Sequence, residues 1–214
     1  MGAAKRVRRA VGRACELVLG LVYPARCPFC GRWTDEGELM CSDCAKRLPK
    51  TPCVRHIPLE GEESLMVMSP LRYEGVFREG IISYKFRQNT WLYRPIGRIM
   101  IEILPRYPVS FDAIVYSPTS IRNMIKRGCD QSRLLAKELG RKARLPVIPA
   151  LRRRRGVKTQ HELSQKERAE NANGAFHCVE DVKGMNILLV DDIITTGNTI
   201  GASAKALYEA GAKK

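Results

Sequence analysis

An α/β fold, a parallel sheet flanked by helices with a small cysteine-rich head before it, is what this chain predicts. Three observations carry the expectation. An apolar tetrad ending in two acids runs through a Thr/Gly turn into a helical pattern at 187–211. Two C-x-x-C pairs stand close together at 27–44. The 214 residues suffice for one α/β domain of ordinary size plus an appendage, with no internal repeat.

Ile187 to Val190 is an uninterrupted apolar run, the mark of a parallel strand covered on both faces. Asp191 and Asp192 close it, and Thr195, Thr196, Gly197, Asn198 and Thr199 form a polar turn. Ile200, Ala204 and Leu207 then recur at helical spacing, and Gly211 supplies a left-handed cap. Ligands of open parallel sheets gather at the carboxyl ends of strands. A loop feeding a helix start offers free N–H groups and the positive dipole end to a phosphate. Carboxylates beside that loop accept hydrogen bonds from sugar hydroxyls, so one segment holds both halves of a site for a sugar phosphate. The blander alternative is an ordinary strand, turn and helix with polar residues at its rim. T-T-G-x-T behind paired acids is richer than a lone glycine motif.

Upstream, 65–68 reads as a short strand, and the turn at 73–75 leads into a helix over 76–86. A second helix carries Leu92, Ile96, Ile99 and Ile103 on one face, which marks them as core. Pro105 and Pro108 break the chain before a strand at 111–116. Ser117-Pro118 opens a polar, basic turn with Arg122, Lys126 and Arg127, and Asp130 is placed to cap a helix over 131–142. Lys85 and Arg87 can face the cleft or solvent, and solvent is the preferred assignment. Residues 152–176 are irregular, basic and glycine-containing, either a lid or a disordered excursion.

Cys27-Pro28-Phe29-Cys30-Gly31 and Cys41-Ser42-Asp43-Cys44 are separated by ten residues, the spacing that brings four thiolates around one tetrahedral zinc. A structural Zn²⁺ suits a head too small to build its own core. The rival reading is disulfides in a secreted protein. Cys15, Cys129 and Cys178 look unpaired, which points instead to a reducing, cytoplasmic setting. Cys53 and His56 have ligand-pair spacing without a second pair behind them, and read as a remnant or a loop.

The net charge of +15 calls for a polyanionic partner, nucleic acid or a phosphate-rich substrate, or else only for solubility. The basic clusters are the arm Lys5, Arg6, Arg8, Arg9 and Arg13, the Arg122–Arg127 turn, and Arg152 to Arg155 with Lys158. The arm precedes an apolar stretch, 15–23, in the order of a signal peptide. Glu16 interrupts that stretch and no small-residue cleavage site follows, which favours an amphipathic helix. No apolar run reaches the roughly 18 residues of a membrane span. The expected organisation is a basic arm over 1–24, a zinc head over 25–58 and an α/β domain over 59–214.

Asp191, Asp192, Thr195, Thr196, Gly197 and Thr199 closely resemble the phosphoribosyl-pyrophosphate (PRPP) motif of type I phosphoribosyltransferases, with Asn198 where a small residue is common. The resemblance implies a type I phosphoribosyltransferase-like sheet, acids on the ribose hydroxyls and the loop on the 5′-phosphate. It sharpens further along the chain. Tyr23-Pro24, the two cysteine pairs of a zinc ribbon, Tyr84-Lys85-Phe86 and Pro118 appear in order. Arg127-Gly128-x-x-Gln131 and the set Gln160, Leu163, Arg168, Asn171 and Phe176 follow. On these the chain resembles the ComF family, phosphoribosyltransferase-like proteins associated with DNA uptake in competent bacteria. It departs from the family at Cys129-Asp130, where Phe-Asn is usual, and at Val157, where Thr is common. It also lacks the further pair of knuckles many members carry, and it ends at Lys214, where relatives continue into another strand.

The resemblance implies transfer of a phosphoribosyl group from PRPP to a nitrogen acceptor, with Mg²⁺ on the pyrophosphate. Asp191 and Asp192 would position the ribose, Thr195 to Thr199 the 5′-phosphate, and Arg127 would contact pyrophosphate. The loop carrying Lys158 would close over it and exclude water. The alternative is a non-enzymatic protein that reuses the fold to bind single-stranded DNA or a nucleotide signal, or to meet competence-machinery proteins.

Overall fold

The computed structural model describes residues 26–35, 38–48, 52–59, 62–86, 90–102, 104, 110–154 and 174–214. The chain divides into two compact units between Leu48 and Pro49. The arm at 1–24, Ile103, Pro105, Pro108, Arg87 and residues 155–173, with Lys158 among them, lie outside the described residues.

In the first unit, the described residues make two tight turns and one short helix, α1 (Ser42–Lys46). Gly31 takes a φ of 75°, a left-handed conformation that a side chain would strain, and its N–H reaches Cys27 O at 2.9 Å. Cys27 N–H in turn donates to Arg32 O at 2.7 Å. The Arg26 guanidinium lies 4.0 Å from the centre of the Trp33 ring, and Arg32 pairs with Asp43 of α1.

The second unit opens with an antiparallel hairpin, β1 (Cys53–Leu59) and β2 (Glu62–Ser69), in which Cys53 faces Ser69 and Ile57 faces Leu65. The segment read from sequence as a loop or metal remnant is thus a strand. Cys53, Ile57 and Leu59 are its half-buried positions and share one face at the period of two that a strand requires, whereas Val54 is exposed on the other. This strand falls in the second unit, although the sequence grouped 25–58 together.

Helices α2 (Gly75–Phe86) and α3 (Tyr93–Ile101) follow, then β3 (Ala113–Tyr116), α4 (Ile121–Arg127) and α5 (Gln131–Ala143). The basic turn expected after Pro118 is in fact the helix α4. Ser120 caps it by accepting from Asn123 N–H at 3.3 Å, and Gly128 ends it at φ 74°. Asp130 caps α5 as expected, accepting from Arg133 N–H at 3.1 Å. A second antiparallel pair, β4 (Leu151–Arg153) and β5 (Phe176–Cys178), brackets the long basic segment. The chain then forms β6 (Ile187–Val190) and α6 (Asn198–Glu209). Gly211 adopts φ 89° just beyond α6, where the sequence put a left-handed cap.

β3 and β6 are parallel neighbours, Ala113 beside Ile187 and Tyr116 beside Val190, and Val147 adds a parallel bridge to Ile114. Alternation along these strands supplies two cores. Ala113, Val115 and Ile187 pack with Leu151, Phe176, Ala206 and Leu207 on one face. Ile114 and Val190 pack with Ile81, Tyr84, Leu92, Ile96, Leu135 and Leu139 on the other. Burial on both faces explains why the strands read as unbroken apolar runs. The last residues turn back on the sheet, with Lys213 N–H donating to Met185 O at 2.8 Å and Ile187 N–H to Lys214 O at 2.7 Å.

Candidate functional site

In the first unit, one ligand atom from each of Cys27, Cys30, Cys41 and Cys44 falls within 4.8 Å of the others. Cys30 and Cys41 Sγ stand 3.5 Å apart, far beyond a disulfide bond of about 2.05 Å. Four sulfurs at about 2.3 Å from a tetrahedral zinc lie roughly 3.8 Å from each other, so the set fits that ion. Each pair comes from one turn, the second from the start of α1, where Ala45 N–H reaches Cys41 O at 2.9 Å. Burial pushes the Cys30 and Cys44 thiols up, whereas the Cys44 N–H draws Cys41 down to about 7. A zinc ion would hold all four as thiolates; the site is structural, since four protein ligands fill a tetrahedron. Cys53 and His56 lie instead on β1, with His56 Nδ1 3.3 Å from Ser64 Oγ.

In the second unit, the candidate site lies at the carboxyl ends of β3 and β6, joined where Ser117 N–H donates to Val190 O at 3.0 Å. Two loops leave this edge, 117–120 into α4 and 191–197 into α6. Ser117 Oγ meets Ser203 Oγ at 3.0 Å, and both residues are buried, which seats α6 against the end of β3. Asp130 accepts from Thr119 N–H at 3.2 Å and Thr119 Oγ1 at 3.3 Å, fastening the first loop to the start of α5.

The two acids are held differently. Asp191 Oδ1 accepts from Ser132 Oγ and from Asp192 N–H, both at 2.9 Å. Burial, then the Asp192 charge, pushes the Asp191 carboxyl up to about 7, against the opposing pull of Ser132, the Asp192 amide and Lys85. Asp192 Oδ1 accepts from Ile193 N–H at 2.8 Å, while Oδ2 faces Lys85 Nζ at 3.3 Å and Arg127 Nη1 at 3.8 Å. The Lys85 side chain is 19% exposed, so it belongs to the cleft and not to solvent as the sequence suggested. Arg127 also donates to Gln131 Oε1 at 3.4 Å, and Gln131 O accepts from the buried Tyr84 hydroxyl at 2.8 Å. Tyr84 and Lys85 are adjacent in sequence, one fixing α2 to α5 and the other reaching the acids.

The Thr/Gly loop meets α6 at Gly197, whose φ of 88° sits outside the helical range. Thr195 and Thr196 are exposed, Asn198 and Thr199 open the helix, and Asn198 N–H lies 3.5 Å from Thr196 Oγ1. Asp191, Asp192, Thr195 to Thr199 and Arg127 therefore share one edge of the sheet. Of the basic clusters, Arg122 and Lys126 are exposed on α4. Arg153 is held 5.4 Å from the centre of the Phe176 ring, and burial lowers its pKa, so it is part of the β4–β5 packing.

Sequence reasoning missed Ser132 and Arg55. Ser132 follows the Asp130 cap in the first turn of α5, a helix start aimed at the carboxyl edge, which was a usable signal. Arg55 donates to Thr195 O at 3.1 Å and Ile194 O at 3.2 Å from 139 residues or more away in the chain, and nothing local announces it.

Residues 126–214 match the phosphoribosyl transferase domain family, and residues 18–56 match the double zinc ribbon domain family. Among curated proteins, the chain is 29% identical to the Escherichia coli DNA utilization protein YhgH, over 92% of this chain and 90% of that one. It is 27% identical to the Bacillus subtilis competence protein ComFC, over 92% of this chain and 78% of that one. It is also similar to the solved B. subtilis glutamine PRPP amidotransferase, 19% identical with a TM-score of 0.39, spanning 72% of this chain and 33% of that one. The resemblance to ComF proteins is thus one of homologues over nearly the whole chain. The fold is a phosphoribosyltransferase-like α/β domain behind a four-cysteine zinc-ribbon head. Among the described residues no helix is long and apolar enough to cross a membrane.

Proposed function

We propose that the chain binds PRPP at the carboxyl edge of β3 and β6 and transfers its phosphoribosyl group to a nitrogen acceptor. One observation carries the reading: the acid pair Asp191–Asp192 leads directly into a loop that opens α6, with Lys85 and Arg127 beside Asp192. The acids would accept from the ribose 2′ and 3′ hydroxyls, and the loop N–H groups and the helix dipole would receive the 5′-phosphate. Arg127 and Lys85 would turn from Asp192 to the pyrophosphate, and Lys158 would add its charge on closure. Mg²⁺ with the pyrophosphate would spread its negative charge.

The reaction would break the C1–O bond to pyrophosphate and form a C1–N bond, with the acceptor's proton passing to solvent. Positive charge grows on the ribose as the bond breaks, so holding the reactants and stabilising the departing anion are the main contributions of the protein. Among the described residues, no side chain near the acids is an evident general base. The test is incubation with PRPP and Mg²⁺ against a panel of bases and amines. Pyrophosphate released only when an acceptor is present supports transfer; none with any acceptor leaves PRPP binding without turnover.

A second reading is favoured by the +15 charge and by relatives named for DNA utilization and competence. Single-stranded DNA would bind through the N-terminal arm and the Arg152–Arg155 cluster, in a reducing cytoplasmic setting. Counterion release then gives a log–log salt slope of about −0.7 per phosphate neutralised. Replacing Arg6, Arg8 and Arg9 with Ala should flatten it by about two units without altering PRPP affinity.

A further inference from the structure

The hairpin β1–β2 lies outside every motif that identifies the cleft, yet one face of it is laid on the phosphate loop. Residues 55, 57 and 59 share that face by strand alternation. The Arg55 guanidinium donates one bond to Ile194 O at 3.2 Å and another to Thr195 O at 3.1 Å. A Cβ on Gly197 would come within 2.5 Å of Ile57 Cδ1, and one on Gly201 within 3.6 Å of Leu59 Cδ2. The strand and the loop are therefore packed as one body, and Gly197 is required both by its φ of 88° and by the closeness of Ile57.

We infer that Arg55 is a positioning residue for the 5′-phosphate end of the site, an inference that rests on the sugar-phosphate reading above. A trans peptide is planar, with its C=O and N–H pointing to opposite sides, and none of the described peptide bonds is cis. Fixing the carbonyls of Ile194 and Thr195 toward β1 therefore turns the N–H groups of Thr195 and Thr196 away from the hairpin. Those two amides stand just before the helix start, where a run of oriented N–H groups makes an anion-binding concavity. A fork of two donors on consecutive carbonyls sets the orientation of both peptide planes. A lysine ammonium, a rotatable point charge on a flexible stem, holds the two planes less rigidly. The hairpin thus supplies the back wall of the phosphate loop, and Arg55 adds positive charge behind it.

Backbone ¹⁵N order parameters of Thr195 and Thr196 in the ligand-free chain, read by NMR relaxation, test the brace without reference to any ligand. Arg55→Ala should lower them from about 0.85, the value of a rigid backbone, to below about 0.6, while β3 and β6 keep wild-type values. Calorimetry with PRPP, ribose 5-phosphate and inorganic pyrophosphate tests the ligand end. In Arg55→Ala the first two should weaken together by about tenfold and pyrophosphate by less than about twofold, with Arg55→Lys in between. Unchanged order parameters at the two threonines overturn the proposal. So does equal loss for all three ligands with a lowered melting temperature, the signature of a merely structural role. Wild-type chain that binds neither sugar phosphate overturns the sugar-phosphate reading itself, and the order parameters then decide the brace on their own.

Discussion

The cysteine head and the acid pair both crowd like ionisable groups, and they relieve the crowding in opposite ways. In the head, four thiols lie within 4.8 Å of one another and the neutralising cation must come from solution. In the cleft, two adjacent carboxylates meet cations carried by the chain, Lys85 at 3.3 Å and Arg127 at 3.8 Å, and Asp191 is further relieved by holding a proton. The head is therefore conditional on its metal, whereas the cleft is assembled before any ligand arrives. A cation bonded by four thiolates has no vacancy for chemistry. Cations that merely neighbour a carboxylate can be given up to an incoming anion.

The comparison breaks most sharply on the metal. Purified protein should hold about one zinc per chain. Structural zinc contributes on the order of 10 kcal/mol to small domains of this kind. Chelation, or Cys44→Ser, should therefore release the ion and unfold the head, with the second unit unchanged by circular dichroism and melting. Protein prepared without chelators and found free of zinc would end this account of the head.

Removing the built-in cation is the corresponding change in the cleft. Lys85→Met should cost about 1.5–3 kcal/mol of domain stability, the scale of a hydrogen bond to a charged group, since it removes the nearer of the two cations described beside Asp192. PRPP affinity should fall as well, and a denaturant midpoint equal to wild type would show that the pair contributes nothing. Ser132→Ala is a smaller change, worth about 1 kcal/mol. Because the Ser132 hydroxyl draws the Asp191 pKa down, its loss should move the acid limb of PRPP binding to higher pH. An unmoved pH profile would separate Ser132 from the site.

The ligand-free domain responds to pH as well. The folded-state pKa of Asp191 lies above its ordinary value, so its contribution to stability is complete at about pH 4 and is lost as pH rises toward 7. Binding of a polyol that needs both carboxylates ionised should then release a proton below pH 7. Calorimetric enthalpies that are the same in buffers of different ionisation heat would contradict this.

What the sequence made legible follows the same division. The head lies within 27–44, so spacing alone reveals its ligands. Ile187 to Asp192 and the Thr/Gly turn were equally local, as was Asp130, a cap defined by its own helix. Lys85 was assigned to solvent because its role depends on Asp192, more than a hundred residues later, across the packing of α2 on the sheet. Arg55 required knowing that 53–59 is a strand and which face it turns to 194–197. The helix α4 was missed because none of its residues is buried, which leaves no apolar period to read.

The most direct test of the central claim is calorimetric titration of PRPP with Mg²⁺ into the wild-type chain and into Asp191→Asn with Asp192→Asn. Both acids stand at a strand end, so the double variant should fold, with a wild-type far-UV spectrum. Losing two charge-assisted hydrogen bonds at roughly 1.5–3 kcal/mol each should weaken binding by at least about a hundredfold. A folded double variant with wild-type PRPP affinity would place the ligand elsewhere and contradict the account.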